Sequence, residues 1–291
     1  AGFVVAVGLL WYGFATLPPL EYLYEMNPGY LRDFGHIPDE EELLSRYGGG
    51  VKLGNSLILQ FFEWAVADPT KLPTHYEYIH YPYIFAGFIT LFFTALNLLP
   101  IGQLDGGHIM YGLLGRQKAG FVSRIFVLCL IGYGGIGGVQ FHKYRGILDL
   151  DWLISTGLYL LYLWILIPKI IGNKKIGLYI IFVILISQQG IQYFFPEQPM
   201  NILWLFYSLM GVFVIKLDHP PAMVETPLNR PRVVAGWFAV VIFVLCFSPE
   251  PIQIVIQPKY NSHNAPANLP AKQTRLETVP QSLDHPARQN W

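Results

Sequence analysis

Charge is what this sequence has least of. Of its 291 residues only 13% are Asp, Glu, Lys or Arg, about half the share carried by soluble domains, while 53% are hydrophobic. That deficit argues against an ordinary soluble domain and points to a membrane protein. The 19 basic and 19 acidic residues cancel, which argues against the basic surface a nucleic-acid partner requires. Cysteine is nearly absent. Cys129 and Cys246, both inside apolar runs, exclude a four-cysteine zinc site and read as small buried hydrophobes rather than a disulfide. No P-loop, dinucleotide-binding glycine fingerprint or GxSxG nucleophile turn is present, and no signal peptide is visible. The chain opens on Ala1-Gly2-Phe3, already inside an apolar run with no Met, basic flank or cap. It is therefore expected to be a fragment whose upstream part is missing.

What the sequence does hold is a broken apolar run. From Tyr81 the chain would read as one long membrane helix, but Asn97-Leu98-Leu99-Pro100-Ile101-Gly102-Gln103-Leu104-Asp105-Gly106-Gly107-His108 interrupts it. An Asp at the centre of a membrane helix costs about 2.5–3.5 kcal/mol, so an intramembrane carboxylate is a functional hypothesis by default. Pro100 removes an N–H and clashes with the preceding turn. Backbone groups freed at membrane depth persist only where protein or a water-filled cavity satisfies them. The stretch predicts a broken helix with Asp105 aimed into a polar pocket. A blander reading of Asp105 is a cap on a helix restarting at Gly106.

The fold class expected is all-α, a multi-pass transmembrane helix bundle broken around Asn97–Gly107. Ala1 to Leu17 reads as a first span ended by Pro18-Pro19. Residues 18–80 form a polar loop carrying the acidic run Asp39-Glu40-Glu41-Glu42 and the turn Gly48-Gly49-Gly50. Within it, Leu53 to Ala67 has Leu57, Phe61 and Trp64 at helical spacing and reads either as an interfacial helix or as a loop helix covering the bundle. His80 to Asn97 is a second span, and Gly106 to Gly115 resumes as a helix ending at Arg116 and Lys118. Further spans read as Phe121 to Gly138, Trp152 to Ile167, Ile176 to Phe195, Ile202 to Val214 and Val233 to Phe247. In the first of these, Gly134 and Gly138 have a small-xxx-small spacing that suits close helix packing.

The membrane-embedded domain is expected to cover 1–249, with 250–291 a polar, disordered tail. Basic residues cluster in alternate connections (Arg116 and Lys118; Lys169, Lys174 and Lys175; Lys216, Arg230 and Arg232). The positive-inside rule makes these cytoplasmic, turns the acidic loop outward and places the Asn97–Gly107 break toward the cytoplasmic side. The basic linker His142-Lys143-Tyr144-Arg145 falls on the wrong side in this scheme.

Asn97-x-x-Pro100-x-x-x-Leu104-Asp105-Gly106 resembles the second signature of the site-2 protease family, the intramembrane zinc metalloproteases. Ala1-Gly2 also resembles the end of a Gly-Pro-x-Ala-Gly stretch found in such proteins. The resemblance implies that Asp105 is the third zinc ligand and that Asn97 lies on the substrate or oxyanion side. It implies that Pro100, Leu104, Gly106 and Gly107 shape the break. His108, three residues beyond Asp105, is read as a partner that supports Asp105 or as a pocket residue, rather than as a ligand. The family's other two zinc ligands are the histidines of an HExxH helix whose Glu is the general base, and no HExxH occurs here. Asp105 alone cannot bind zinc usefully.

His75-Tyr76-Glu77-Tyr78-Ile79-His80 is no substitute. Histidines five apart stand about 140° apart on a helix, whereas the four-residue spacing puts both on one face. His36, His142, His219, His263 and His285 lie in loops or tail, and Asp149 and Asp151 at a solvated span end.

The expected function is thus intramembrane zinc proteolysis of a membrane-spanning substrate, with Zn2+ as cofactor in the intact protein and this chain inactive alone. The rivals are a catalytically inactive homologue acting as a helix-binding membrane scaffold, and an ion-coupled transporter. Against the transporter, no second Pro/Gly-broken span with an acidic residue is present.

Overall fold

Pro18-Pro19 stops the first helix, and the next long helix does not begin until Pro82, whose ring suits the first turn of a helix. A computed structural model describes residues 1–139, 150–196, 198–218, 220 and 228–256. The basic linker His142–Arg145, Asp149, His219 and the tail from Gln257, with His263 and His285, lie outside the described residues.

Helix α1 (Gly2–Ala15) and helix α6 (Pro82–Asn97) run antiparallel in close contact. Small residues allow this: a side chain at Gly13 would press on Ile84 and Tyr83, one at Gly87 on Leu10. Between them lie three short helices, α2 (Tyr22–Met26), α3 (Gly29–Asp33) and α4 (Glu40–Tyr47). The acidic run has a local cause. Asp39 caps α4, its side chain accepting from Glu42 N while the Glu42 carboxylate reaches back to Asp39 N, and Glu40 to Glu42 fill the first turn. Negative charge there opposes the helix dipole. Gly48, at φ 73°, ends the helix in the left-handed region.

Strand β1 (Gly49–Leu53) follows and pairs antiparallel with β2 (Ile252–Ile256), from Gly49 opposite Ile256 to Leu53 opposite Ile252. The fold is mostly helical, and this two-stranded sheet is what the all-α expectation left out. The sheet also carries ordered chain past the boundary expected at residue 249, because Gly54 N donates to Pro251 O at 2.8 Å and continues the ladder. Helix α5 (Leu57–Ala65), capped by Ser56, buries Leu59 and Phe62. The stripe singled out from the sequence points the other way, with Leu57 and Phe61 half exposed and Trp64 84% exposed.

After the break come α7 (Asp105–Leu114) and α8 (Arg116–Gly134). Gly115, at φ 78°, turns the chain between them, so Arg116 and Lys118 begin α8 and do not end α7. Gly134 and Gly138 do not share a helix face. A side chain at Gly134 would meet Asn201 and Trp204, and one at Gly138, beyond the helix, would meet Tyr159.

Helices α9 (Leu150–Ile171) and α10 (Lys174–Phe194) form a hairpin that turns at Gly172 and is capped by Asn173. Pro168 lies inside α9 without ending it. Helix α11 (Ile202–Met210) continues as a π-helical turn, Gly211–Ile215, and stops at Lys216, whose φ is 64°. Helix α12 (Arg230–Cys246) packs on α5, α6 and α7.

The helices α9 and α10 are long and apolar enough to cross a membrane, while α1, α6 and the α11 run through Ile215 are apolar but shorter. Large apolar side chains line the outside of the pair, including Leu158, Leu161, Trp164, Phe182 and Val183. A patch of that extent is what a lipid-facing surface presents.

The apolar interior divides in two. One cluster joins α1, the polar segment and most of α6 around Leu10, Phe14, Leu23 and Ile84. The second joins α8 to α11 around Val127, Leu163, Ile167 and Trp204, and it includes Leu96, Leu99 and Ile101. The broken stretch therefore sits where α6 leaves one core and plugs into the other.

Candidate active site

Helix α6 cannot run through Pro100, which has no N–H to give the turn before it. It ends at Asn97, and the chain crosses residues 98–104 without regular structure. Leu99 and Ile101 are fully buried in the second core, and they hold the crossing in place. Pro100 and Gly102 are buried beside them.

Gly102 adopts φ 42°, and a side chain there would collide with the carbonyl oxygen of Lys216. Its N–H donates to the Ser123 hydroxyl, 3.4 Å away on α8. The π-helical turn after α11 thus backs the crossing, and α8 anchors it. Lys216 belongs to the same side as Asp218, which pairs with Arg124 at 2.7 Å.

The glycine pair has a steric role. A side chain at Gly106 would strike the carbonyls of Leu98 and Leu99, and one at Gly107 those of Ile101 and Gly102. Only with hydrogen at both positions can the first turn of α7 lie directly on the crossing backbone. Helix α7 begins at Asp105 with Leu104 as its N-cap and no side-chain capping bond. The capping reading of Asp105 is therefore corrected: Asp105 sits in the first turn, where its charge suits the helix dipole, and it caps nothing.

Asn97 and Asp105 are both exposed, one at the last residue of α6 and one at the first of α7. Among the described residues neither side chain makes a hydrogen bond or ion pair. Asp105 faces out of this chain, in place of the enclosed pocket expected. Leu104 is partly buried against the second core. His108 is exposed, and its Nδ1 lies 2.8 Å from the Leu104 carbonyl, one turn back on α7.

The structure separates the His75 and His80 pair. His75 turns to Glu63, Nε2 to Oε1 at 3.2 Å, and its Nδ1 lies 3.0 Å from the Leu53 carbonyl. Burial lowers the pKa of this imidazole, but the carboxylate and the carbonyl outweigh it and hold the group above the ordinary histidine value. His80 turns instead to Asn27 and Glu77. Among the described residues, no group of three or more His, Cys, Asp or Glu side chains could hold a metal ion. The described residues do not by themselves make a zinc site.

Sequence reasoning missed Ser123 and Lys216. Neither carries a local signal, since a hydroxyl in an apolar helix and a lone lysine after an apolar run say nothing about which backbone they will meet.

Residues 62–132 match Peptidase family M50. The match spans α6, the whole broken stretch and most of α8. That description agrees with the resemblance carried by Asn97–Gly106, all of which lies inside the matched residues. A stretch of 57 residues is also 44% identical to a protein of Arabidopsis thaliana described as probable zinc metallopeptidase EGY3, chloroplastic. That stretch is 20% of this chain and 10% of the relative, so the chain spans a small part of the relative's length. No solved structure matches.

Proposed function

We propose that this chain supplies the Asn97–Gly107 half of the active site of an intramembrane zinc metalloprotease that cleaves membrane-spanning substrates. The observation that carries the reading is the family match over residues 62–132, which contains the whole motif. The relative's description as a zinc metallopeptidase supports it. So does the exposure of both Asn97 and Asp105, uncommitted to other described groups.

In this reading Asp105 is the residue that would hold zinc, alongside two histidines of an HExxH helix that these 291 residues do not contain. The metal, once bound, would polarise a water for attack on a peptide carbonyl. This chain's own contribution is positional. Pro100 breaks the helix, Gly106 and Gly107 seat α7 on the break, and Asn97 stands where an extended substrate backbone would need a polar partner. A substrate helix has its carbonyls already bonded, so it must unwind locally before cleavage. The chain forms a multi-pass membrane domain with the break toward the cytoplasmic side, supported by Arg116, Lys118, Lys169, Lys174, Lys175, Arg230 and Arg232 at one set of connections. Alone, this chain is inactive.

The absence of three clustered metal ligands among the described residues favours a second reading, a metal-free homologue that binds membrane helices. One experiment separates them. The intact native protein and its Asp105→Asn variant are purified, and bound zinc and cleavage of a transmembrane substrate are measured. The protease reading expects stoichiometric zinc and cleavage, both lost in the variant. Zinc absent from the native protein supports the scaffold, and stoichiometric zinc in the isolated 291-residue chain, lost on Asp105→Ala, overturns the account of an incomplete site.

A further inference from the structure

The polar segment between α1 and α6 carries an open pocket of about 360 Å³, within the size range of small-molecule sites. Its wall includes Asn27, Tyr30, Tyr47, Tyr76, Glu77 and His80. Glu77 is 2% exposed. Its Oε1 accepts the Tyr30 hydroxyl at 2.6 Å, while its Oε2 is buried and accepts no hydrogen bond among the described residues. A buried carboxylate oxygen without a donor is costly.

His80 does not supply one. Its Nε2 stands 3.6 Å from Glu77 Oε2, beyond hydrogen-bond distance, and the same nitrogen lies 3.2 Å from Asn27 Nδ2. An Nε2 that accepts from Asn27 carries no proton of its own. Glu77 Oε2 therefore receives no hydrogen from His80. Among the described residues lining the cavity, Glu77 is the single carboxylate, and no Lys or Arg is present. The rest of the wall is tyrosine ring, aliphatic side chain and β1 backbone.

We propose that this cavity binds a primary alkylammonium group. The head would donate to Glu77 Oε2, and its aliphatic stem would lie against Tyr30, Tyr47 and Tyr76. A quaternary ammonium has no N–H to offer this acceptor, and a neutral alcohol offers no charge to Glu77. The electron-rich tyrosine faces favour the cation further. Glu77 Oε2 is closed to solvent, so the guest must turn the His80 ring, 27% of whose side chain is exposed, to reach it. Nothing in this depends on Asp105 or on zinc. The ammonium could come from a lysine side chain of a polypeptide or from an ethanolamine lipid headgroup.

The test is calorimetric titration of the full chain in detergent with n-butylammonium, tetramethylammonium and 1-butanol. Saturable binding of butylammonium is expected, at least tenfold weaker for the other two and at least tenfold weaker in Glu77→Gln. A short lysine-containing peptide and a lysophosphatidylethanolamine then distinguish the two sources. Equal binding of butanol, or undiminished binding to Glu77→Gln, overturns the proposal. Should Glu77→Gln fail to fold, Tyr47→Ala decides, because Tyr47 is 50% exposed. A loss of severalfold in butylammonium affinity is expected, and unchanged affinity overturns the proposal.

Discussion

Gly102 lies so close to the carbonyl oxygen of Lys216 that no side chain fits between them. Both residues have positive φ, 42° and 64°, and they meet where the broken stretch touches the end of α11. The Asn97–Asp105 motif is therefore held from behind by a segment far along the chain.

Gly102→Ala should be among the most damaging single changes here. The left-handed backbone costs an L-residue about 1–2 kcal/mol, and the collision with Lys216 adds to it. Gly172→Ala has a similar φ of 74° but open space around it, and should cost only the backbone part. Thermal unfolding in detergent should rank Gly102→Ala clearly below Gly172→Ala. Equal midpoints would remove the backing contact from the account.

Asp105→Asn should leave stability within about 0.5 kcal/mol of the parent, because the exposed side chain makes no hydrogen bond or ion pair among the described residues. Denaturant unfolding of the isolated chain checks this. A loss of several kcal/mol would mean that Asp105 serves the fold, and any loss of activity in the intact protein could then be structural.

The His75–Glu63 pair makes a pH prediction. The folded pKa of His75 lies above its ordinary value of 6.5. A raised pKa stabilises the fold fully below the unfolded value, and that contribution disappears as pH rises through the folded one. Unfolding midpoints should therefore fall as pH climbs from below 6.5 through the raised value. Glu63→Gln, which keeps an acceptor for the Tyr78 hydroxyl at 2.8 Å in the parent, should flatten that slope. An unchanged slope would show that another group titrates there.

Gln188 joins three helices. Its amide donates to the Gly132 carbonyl at 2.9 Å on α8 and exchanges hydrogen bonds with the Tyr159 hydroxyl on α9. Bonds of this kind between membrane helices average about 0.6 kcal/mol and reach about 1.7. A double-mutant cycle of Gln188→Leu and Tyr159→Phe should give a coupling in that range. Zero coupling would mean the pair adds nothing to the bundle.

Much of the site's local geometry was legible before any coordinates. Pro100 could only break a helix, and the glycine pair after it was expected to shape that break. The bounds of α9 and α10 fell within a few residues of the apolar runs. What misled were features whose meaning depends on a neighbour. Leu57, Phe61 and Trp64 share a face as their spacing requires, yet it is Leu59 and Phe62 that meet the core. Gly134 and Gly138 have the spacing of a packing motif, but the helix ends between them. The isoleucine-rich stretch at 252–256 has no partner in its own vicinity, and its strand exists only because Gly49–Leu53 lies beside it.

The sequence by itself determined the apolar character of the chain, the break at Pro100 and the identity of the residues flanking it, because these follow from side-chain chemistry and backbone sterics within a few positions. The tertiary structure decided what surrounds them. Only packing could put Lys216 and Ser123 behind the break, turn Asp105 outward and divide His75 from His80, since each depends on which distant surface arrives first to exclude water.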